Sequence, residues 1–343
     1  MKRTMVAATA VLALVGSGFG AQAQQSVESF YKGKNIELLI GYSAGGGYDT
    51  FARLVARYMT KHIPGNPNIV PRNMPGGGGR VVSGFVARVA PKDGTVLATA
   101  DQSLTLQQAL GDKTIQFDNN AFNWIGNPAD DNNTLVTNAS TGVKTVEDAT
   151  KTEVALGATG ANTTSEQYPK VMNAMLGTKF KIVNGYPGGN DATLAMERQE
   201  VGGRGSNSWA TWKFTRPDWV KDGKMNIIVQ IGLKKAADLP DVPLLLDLAK
   251  NEQDRAALRL LSAPVAIGRP LFTTPGVPAE RVKALRDAFD ATMKDPEFLE
   301  AAQKERLEIN PVSGVELQKI VSEIVSAPKE TVERLVSIVG SGA

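Results

Sequence analysis

The chain has 343 residues, a length that favours two domains, and contains no cysteine, so disulfides do not stabilise its fold. Its 38 Lys and Arg residues against 35 Asp and Glu residues give a formal net charge of +3, and aromatic residues make up 6%. Without a basic block or an aromatic platform, nucleic-acid binding has no support, and we expect no nucleic-acid partner.

The first predicted element is an export signal. Lys2 and Arg3 precede an apolar stretch over residues 5–15, and Ala21-Gln22-Ala23 fits a small-x-small cleavage pattern. A membrane anchor is the alternative, but the run is shorter than the ~20 apolar residues that a span needs. We therefore predict a signal peptide over residues 1–23, cleaved after Ala23, and a periplasmic protein.

Strands and helices then alternate, with glycine loops between them. A predicted strand over residues 35–41 leads to a first glycine loop (residues 45–47) and a helix over 50–60, for which Asp49 is the predicted N-cap. A strand over 68–71 leads to a second glycine loop (residues 76–79) and another helix. With a third strand over 95–100, this alternation predicts a parallel sheet with ligands at the carboxyl ends of its strands.

The chain then crosses to a second domain and returns. Strands are predicted over 154–158, 180–184 and 227–231, and a strand-like segment over 260–272 crosses back before four C-terminal helices. We predict a first lobe of residues 24–127 plus 263–343 and a second lobe of residues 128–262. A ligand cleft is expected between the two lobes.

The candidate ligand-binding residues lie where strands end and helices begin. In the first lobe they are Tyr42, Ser43, Gly45, Gly46, Gly47, Asp49, Gly77, Gly78, Gly79 and Ser103. In the second lobe they are Thr159, Gly160, Asn162, Thr163, Gly189, Asn190, Asp191 and Asn207. Glycine lets backbone N–H groups approach a ligand, and helix N-termini favour negative charge, so the loops are predicted to clamp a carboxylate. Because few basic side chains occur in these loops, neutral donors and helix dipoles are expected to hold the anion. Tight turns and helix caps are the alternative roles for the glycines and for Asp49 and Asp191.

Motifs for catalysis are missing from the sequence. There is no cysteine nucleophile, His62 is the only histidine, and no HExxH occurs. Neither glycine loop matches a phosphate-binding or dinucleotide-binding pattern. We therefore expect a protein that is not an enzyme, with no catalytic residues, no metal and no cofactor.

Five motifs in order carry a family resemblance. They are the first glycine loop with Asp49, then Pro75-Gly76-Gly77-Gly78-Gly79, Ala90-Pro91-Lys92-Asp93-Gly94-Thr95, Leu239-Pro240-Asp241-Val242-Pro243 and Thr274-Pro275-Gly276-Val277-Pro278. From residue 31 onward the chain resembles the extracytoplasmic solute-binding proteins of tripartite tricarboxylate transporters, the Bug family. Two departures are Ser43-Ala44, where many members have a proline before the glycines, and residues 204–209.

The resemblance implies a two-lobed α/β fold, like that of type II periplasmic binding proteins, with a ligand cleft between the lobes. It implies that the glycine loops hold the carboxylate of a small mono- or dicarboxylate through backbone amides and ordered waters. The expected partners are this organic acid and the membrane permease subunits of a tripartite tricarboxylate transporter, and a monomer is the expected oligomeric state. The alternative is an exported sensor-partner protein or a carboxylate-processing enzyme on the same scaffold.

Overall fold

The computed structural model describes residues 26–339, so the predicted signal peptide lies outside the described residues. The strands are β1 (Asn35–Ile40), β2 (Asn68–Asn73), β3 (Val96–Thr99), β4 (Asn123–Asn127), β5 (Asn133–Asn138), β6 (Val154–Gly157), β7 (Phe180–Val183), β8 (Gly203–Ser208), β9 (Met225–Ile231), β10 (Leu271–Thr273) and β11 (Val312–Ser313). The helices are α1 (Val27–Tyr31), α2 (Gly47–Met59), α3 (Arg80–Arg88), α4 (Leu104–Ala109), α5 (Val146–Lys151), α6 (Thr164–Leu176), α7 (Gly189–Glu197), α8 (Trp209–Thr215), α9 (Pro217–Lys221), α10 (Glu252–Ser262), α11 (Ala279–Thr292), α12 (Pro296–Lys304), α13 (Gly314–Val325) and α14 (Lys329–Val339).

The first lobe is built on a six-stranded sheet with the order β11-β4-β10-β3-β1-β2. Strand β1 pairs in parallel with β2 and β3, as the alternation of strands and helices predicts. Ile36, Leu38, Leu39 and Ile40 are all buried, because helices cover both faces of this strand. The remaining pairings, β3 with β10, β10 with β4 and β4 with β11, are antiparallel, so the sheet is mixed.

The second lobe is built on a five-stranded sheet with the order β7-β6-β8-β5-β9. Strand β6 is parallel to β7 and β8, whereas β5 is antiparallel to β8 and β9. The central strand β8 is buried throughout, and apart from Arg204 it carries short side chains or none. A Cβ atom at Gly203 would overlap the carbonyl oxygen of Val136, and one at Gly205 would overlap that of Ser165. This strand is therefore glycine-rich because its backbone packs directly on β5 and α6.

Two segments, residues 128–132 and 263–270, connect the sheets. The strand-like assignment over 260–272 is wrong in its first part, because α10 extends through Ser262. Ala257, Leu258 and Leu261 recur at helical spacing and are buried on one face of α10. Only Leu271–Thr273 pairs as a strand, so the return crossing is short and irregular.

The last two helices contact different lobes. Helix α13 packs on β4 and α4 of the first lobe, whereas α14 packs on α10 and on α6 of the second lobe. Helix α14 therefore contacts the second lobe, although the predicted boundaries assign its residues to the first. Between residues 26 and 339, no helix combines the length and the hydropathy that crossing a membrane requires.

A candidate ligand cleft between the lobes

A cleft lies between the lobes, at the N-termini of helices α2, α6 and α7. Its empty volume is about 630 Å³, part of which is open to solvent. The first lobe lines it with Tyr42, Gly46, Gly47, Tyr48, Asp101 and Gln102. The two crossing segments contribute Asp131, Gly268 and Arg269. The second lobe contributes Asn133, Thr159, Thr164, Ser165, Gly189, Arg204, Ser206, Asn207, Ser208 and Thr211.

The structure brings six of the predicted site residues into this lining. They are Tyr42, Gly46, Gly47, Thr159, Gly189 and Asn207. The other predicted residues lie outside the lining, in the loops and first helical turns beside the cleft: Ser43, Gly45, Asp49, Gly77, Gly78, Gly79, Ser103, Gly160, Asn162, Thr163, Asn190 and Asp191. Their proposed contact with a ligand stays a prediction, but the structure shows what each group does in the protein.

Asp49 orders the first glycine loop. Helix α2 begins at Gly47 with Gly46 as its N-cap, so the prediction that Asp49 is the N-cap is wrong. Asp49 is instead the third residue of the helix, and its Oδ2 accepts a hydrogen bond from the backbone N–H of Gly45 at 3.0 Å. Its Oδ1 accepts from Nε of Arg53 and Nδ2 of Asn73, both at 2.8 Å. The buried carboxylate is thus occupied with holding its own loop.

The helices α2 and α7 begin opposite each other across the cleft. A Cβ atom placed on Gly46 would lie 3.7 Å from the backbone nitrogen of Asn190. Beside them, the hydroxyl of Ser43 donates to Oδ2 of Asp191 at 2.5 Å and joins the two lobes. Two helix N-termini, each carrying partial positive charge, therefore converge on the same space.

The second glycine loop contacts the other lobe directly. Gly77, Gly78 and Gly79 have φ values of 54°, 64° and 89°, a left-handed conformation that favours glycine. A Cβ atom at Gly78 would overlap Cγ2 of Thr163, and one at Gly160 would lie 3.6 Å from the backbone nitrogen of Gly78. The loop therefore allows the lobes to approach closely, and a larger residue would hold them apart.

A set of hydrogen bonds, here called the latch, joins the lobes at this rim. The side chain of Asn162 donates from Nδ2 to Oδ2 of Asp112 at 2.8 Å, and its carbonyl oxygen accepts from Nε2 of Gln107 at 2.6 Å. Nη1 of Arg80 donates to the carbonyl oxygen of Ala161 at 2.8 Å. These bonds cross from one lobe to the other, so the structure shows a closed conformation.

A carboxylate and two tyrosines form the first-lobe wall. The hydroxyl of Tyr42 donates to Oδ2 of Asp101 at 2.5 Å, and the Tyr42 ring stacks on that of Tyr48 with centroids 4.6 Å apart. Oδ1 of Asp101 accepts from the backbone N–H and the hydroxyl of Ser103 at 2.8 and 2.6 Å. Burial and the Asp101 charge raise the pKa of Tyr42 well above its ordinary value, so its hydroxyl stays protonated.

Arg204 is a buried cation on the second-lobe wall. Its side chain is 8% exposed, Nη1 donates to Oγ1 of Thr193 at 3.1 Å, and the guanidinium lies 5.6 Å from the centroid of a Trp212 ring. Burial lowers the pKa of Arg204 to about 9, so the group is still charged at neutral pH. A Cβ atom at Gly189 would overlap its Nη2 atom. Among residues 26–339, no carboxylate forms an ion pair with it.

Arg269 and Asp131 lie on the two crossing segments and share a serine. Nη2 of Arg269 donates to Oγ of Ser208, which in turn donates to Oδ2 of Asp131 at 2.6 Å. The backbone N–H of Ala210 also donates to Oδ2 of Asp131 at 2.6 Å. Burial raises the pKa of Asp131 while the Arg269 charge lowers it, and burial lowers the pKa of Arg269 while the Asp131 charge raises it. Each group thus offsets part of the desolvation cost of the other.

Three buried polar atoms of the lining have no hydrogen-bond partner within residues 26–339. They are Nε of Arg204, Nδ2 of Asn207 and Nε2 of Gln102. All three are N–H donors, and a buried donor without an acceptor is costly. The arrangement therefore suits a ligand that brings acceptor oxygens into the cleft.

Two arginines from outside the glycine loops also line the cleft, Arg204 on strand β8 and Arg269 on the second crossing segment. That neutral donors and helix dipoles hold the anion stays a prediction. One signal in the sequence marks Arg204: it stands between Gly203 and Gly205 in a run of small residues, where a long cation is out of place unless it faces a cavity. Asp101 lies two residues after the end of strand β3, at the sheet edge where ligands are expected. Within residues 26–339, no group of three or more His, Asp or Glu side chains could hold a metal ion.

Known proteins are similar to this chain in sequence and in fold. Residues 51–336 match the family model described as tripartite tricarboxylate transporter family receptor, TctC. A curated relative, the "UPF0065 protein in gbd 5'region" of Cupriavidus necator, is 27% identical over 343 residues, with 96% of this chain and 95% of that protein covered.

Solved structures agree on the fold. The periplasmic binding protein BugD matches with a TM-score of 0.72 and 20% identity, over 90% of this chain and 99% of that chain. MatC from Rhodopseudomonas palustris with bound malate matches with a TM-score of 0.69 and 18% identity, over 90% and 99%. A further R. palustris protein with adipate matches with a TM-score of 0.69 and 18% identity, over 90% and 97%.

These likenesses confirm the predicted two-lobed α/β fold, because both sheets and the cleft between them occur in a chain that aligns over most of its length with periplasmic binding proteins. The family model covers far more than half of the chain. The chain therefore belongs to the tripartite tricarboxylate transporter receptor family, TctC.

Proposed function

We propose that this protein is an extracytoplasmic receptor that captures a small organic carboxylate between its lobes. The observation that carries the proposal is the donor-rich cleft. Within residues 26–339 the unpartnered buried atoms of its lining are N–H groups, and Arg204 has no carboxylate partner there. The family and the likeness to proteins with bound malate and adipate support it. The carboxylate oxygens of the ligand would accept hydrogen bonds from these donors.

Ligand binding and lobe closure are coupled in this proposal. A ligand in the cleft contacts both lobes only when they are closed, so it shifts the population toward the closed state. The closed, monomeric receptor then delivers the acid to the permease subunits of a tripartite tricarboxylate-type transporter outside the cytoplasm. Binding without chemical change is the expected cycle, and no cofactor takes part.

The experiment is native mass spectrometry, together with thermal shift, on the chain from Gln24 onward. The probes are succinate, adipate, citrate, lactate, aspartate and terephthalate, each with its matched amides. We expect one acid to bind in a one-to-one complex, to raise the melting temperature and to be recovered unchanged. Recovery of a chemically altered acid would favour the enzyme alternative, and the failure of every acid would contradict the proposal.

A further inference from the structure

Four charged side chains line the cleft. Arg269 and Asp131 interact with each other, whereas Arg204 and Asp101 each lie without an oppositely charged partner among residues 26–339. Arg269 and Asp131 share the Ser208 hydroxyl and each shifts the pKa of the other in the direction expected of an ion pair. This pair also ties both crossing segments to the start of helix α8. It is therefore part of the hinge, and its charges largely cancel.

Arg204 is the single positive charge. Its side chain is more than nine-tenths buried, and within residues 26–339 its polar partner is the neutral hydroxyl of Thr193. Its Nε has no hydrogen-bond partner in the described part of the chain, and its Nη2 lies against Gly189, the first residue of helix α7. A guanidinium that has no carboxylate partner in the described chain and lies beside a helix N-terminus is a strong binding site for one carboxylate.

Asp101 is the single negative charge, on the opposite wall. Among the described residues, its carboxylate accepts hydrogen bonds from the neutral donors of Tyr42 and Ser103. Oδ2 accepts one hydrogen bond, from the Tyr42 hydroxyl, and keeps acceptor capacity toward the cleft. Asp101 lies on the first-lobe wall and Arg204 on the second-lobe wall, and among residues 26–339 no ion pair joins the two.

We propose that the cleft selects a singly charged acid, with its carboxylate on Arg204 and a hydrogen-bond donor facing Asp101. This inference rests on the proposed carboxylate-receptor function and narrows its ligand class. A dicarboxylate would place its second carboxylate against Asp101, where like charges in a water-poor site repel. A hydroxyl, amide or ammonium group at the same position would donate to Oδ2.

The test is titration calorimetry at pH 7.5 with two matched pairs of probes: succinate with its monoamide succinamate, and adipate with its monoamide adipamate. In each pair the wild-type chain is expected to bind the monoamide at least about tenfold more tightly than the dianion. Asp101→Asn removes the opposing charge, so it is expected to shrink or reverse this preference. Tighter binding of the dianion by wild type, or an unchanged ratio in Asp101→Asn, would overturn the proposal.

The role of Arg204 is tested with the same probes. Arg204→Gln is expected to weaken monoamide binding by about 30-fold or more, and Arg204→Lys by less, because it keeps a charge without the planar fork. Arg198→Gln is the matched control, since Arg198 is exposed at the far end of helix α7 and pairs with Glu200. Circular dichroism checks that each variant is folded. Wild-type affinity in Arg204→Gln would overturn the proposal, whereas no binding of any acid by wild type would contradict the proposed function itself.

Discussion

At the scale of single residues, the closed cleft contains groups that few other protein groups satisfy. Arg204 is desolvated without a carboxylate partner, and the buried amide nitrogens of Asn207 and Gln102 lack acceptors within the described residues. Such groups cost stability and are retained where they serve a site. The groups that bind the ligand are therefore expected to lower the free energy of unfolding of the protein.

Arg204→Met tests this expectation directly. Removing a buried, uncompensated charge while keeping an unbranched apolar chain is expected to raise the free energy of unfolding of the ligand-free protein by about 1 kcal/mol or more. Urea denaturation of wild type and variant measures the difference. A clear loss of stability in the variant would show that the hydrogen bond to Thr193 and the contact with Trp212 outweigh the desolvation of the charge.

Gly78 is expected to permit the close approach of the two lobes, because it has no side chain there. Gly78→Ala places a methyl group against Cγ2 of Thr163 at a φ of 64°, so it is expected to weaken ligand binding about tenfold through steric overlap and backbone strain. Thr163→Ser removes that methyl and keeps the hydroxyl. The double variant is therefore expected to recover most of the affinity in calorimetry. Equal affinities in wild type and Gly78→Ala would contradict the close-approach role.

At the scale of elements, the periodic segments could be predicted and the irregular ones could not. Strand β1 and helix α2 follow from continuous and helical apolar patterns, and both form nearly where they were expected. The start of α2 was misplaced because Asp49 is a good N-cap by type, yet the helix begins at Gly47. Arg204 is not among the predicted site residues, because the glycines on either side of it mark the position as unusual but do not show that this central strand faces a cleft.

The contact between the end of helix α2 and the start of helix α12 is expected to stabilise the fold in a pH-dependent way. Asp295, the N-cap of helix α12, accepts from Lys61 and His62 after helix α2, at 2.7 and 2.8 Å. The hydrogen bond from Lys61 is the main cause that lowers the pKa of Asp295 from 3.8 to about 2. A carboxyl group whose pKa is lower in the folded protein than in the unfolded chain stabilises the folded state at pH values above its ordinary pKa of 3.8. This contribution is lost as the pH falls through about 2.

Urea denaturation of wild type and Asp295→Asn at pH 6 and at pH 2.5 checks this sign. Wild type is expected to have the larger free energy of unfolding at pH 6. The difference from Asp295→Asn is expected to become smaller at pH 2.5, as the carboxyl group of Asp295 becomes protonated. A gap that is constant or that widens toward low pH would mean that the charge of Asp295 does not stabilise this junction.

At the scale of the whole molecule, two lobes are joined by two short crossings and by hydrogen bonds at the rim of the cleft. The latch around Asn162 and the bond between Ser43 and Asp191 form across lobes, so they exist only in the closed state. The two-lobed architecture could be predicted because the chain leaves one α/β unit and returns to it. The latch could not, since its partners are separated by 50 or more residues in sequence and meet only after folding.

Asn162→Gly tests the latch. The φ of 59° at Asn162 suits glycine, so the variant removes the hydrogen bond to Asp112 without adding strain. We expect about tenfold weaker ligand binding and a larger radius of gyration by small-angle X-ray scattering, since a hydrogen bond to a carboxylate is lost from the closed state alone. Asn66→Gly, at an exposed asparagine with a φ of 46°, is the matched control. Identical scattering and affinity in both variants would contradict the latch.

The most direct test of the central claim is the affinity of the wild-type chain for succinamate compared with succinamide, measured by titration calorimetry in one buffer. The two compounds have nearly the same shape and share one amide end, but at the other end succinamide has a neutral amide in place of the carboxylate that Arg204 and the helix N-termini are proposed to hold. The account predicts that succinamate binds and that the neutral diamide is weaker by about 100-fold or more. Equal binding of the two compounds would contradict it.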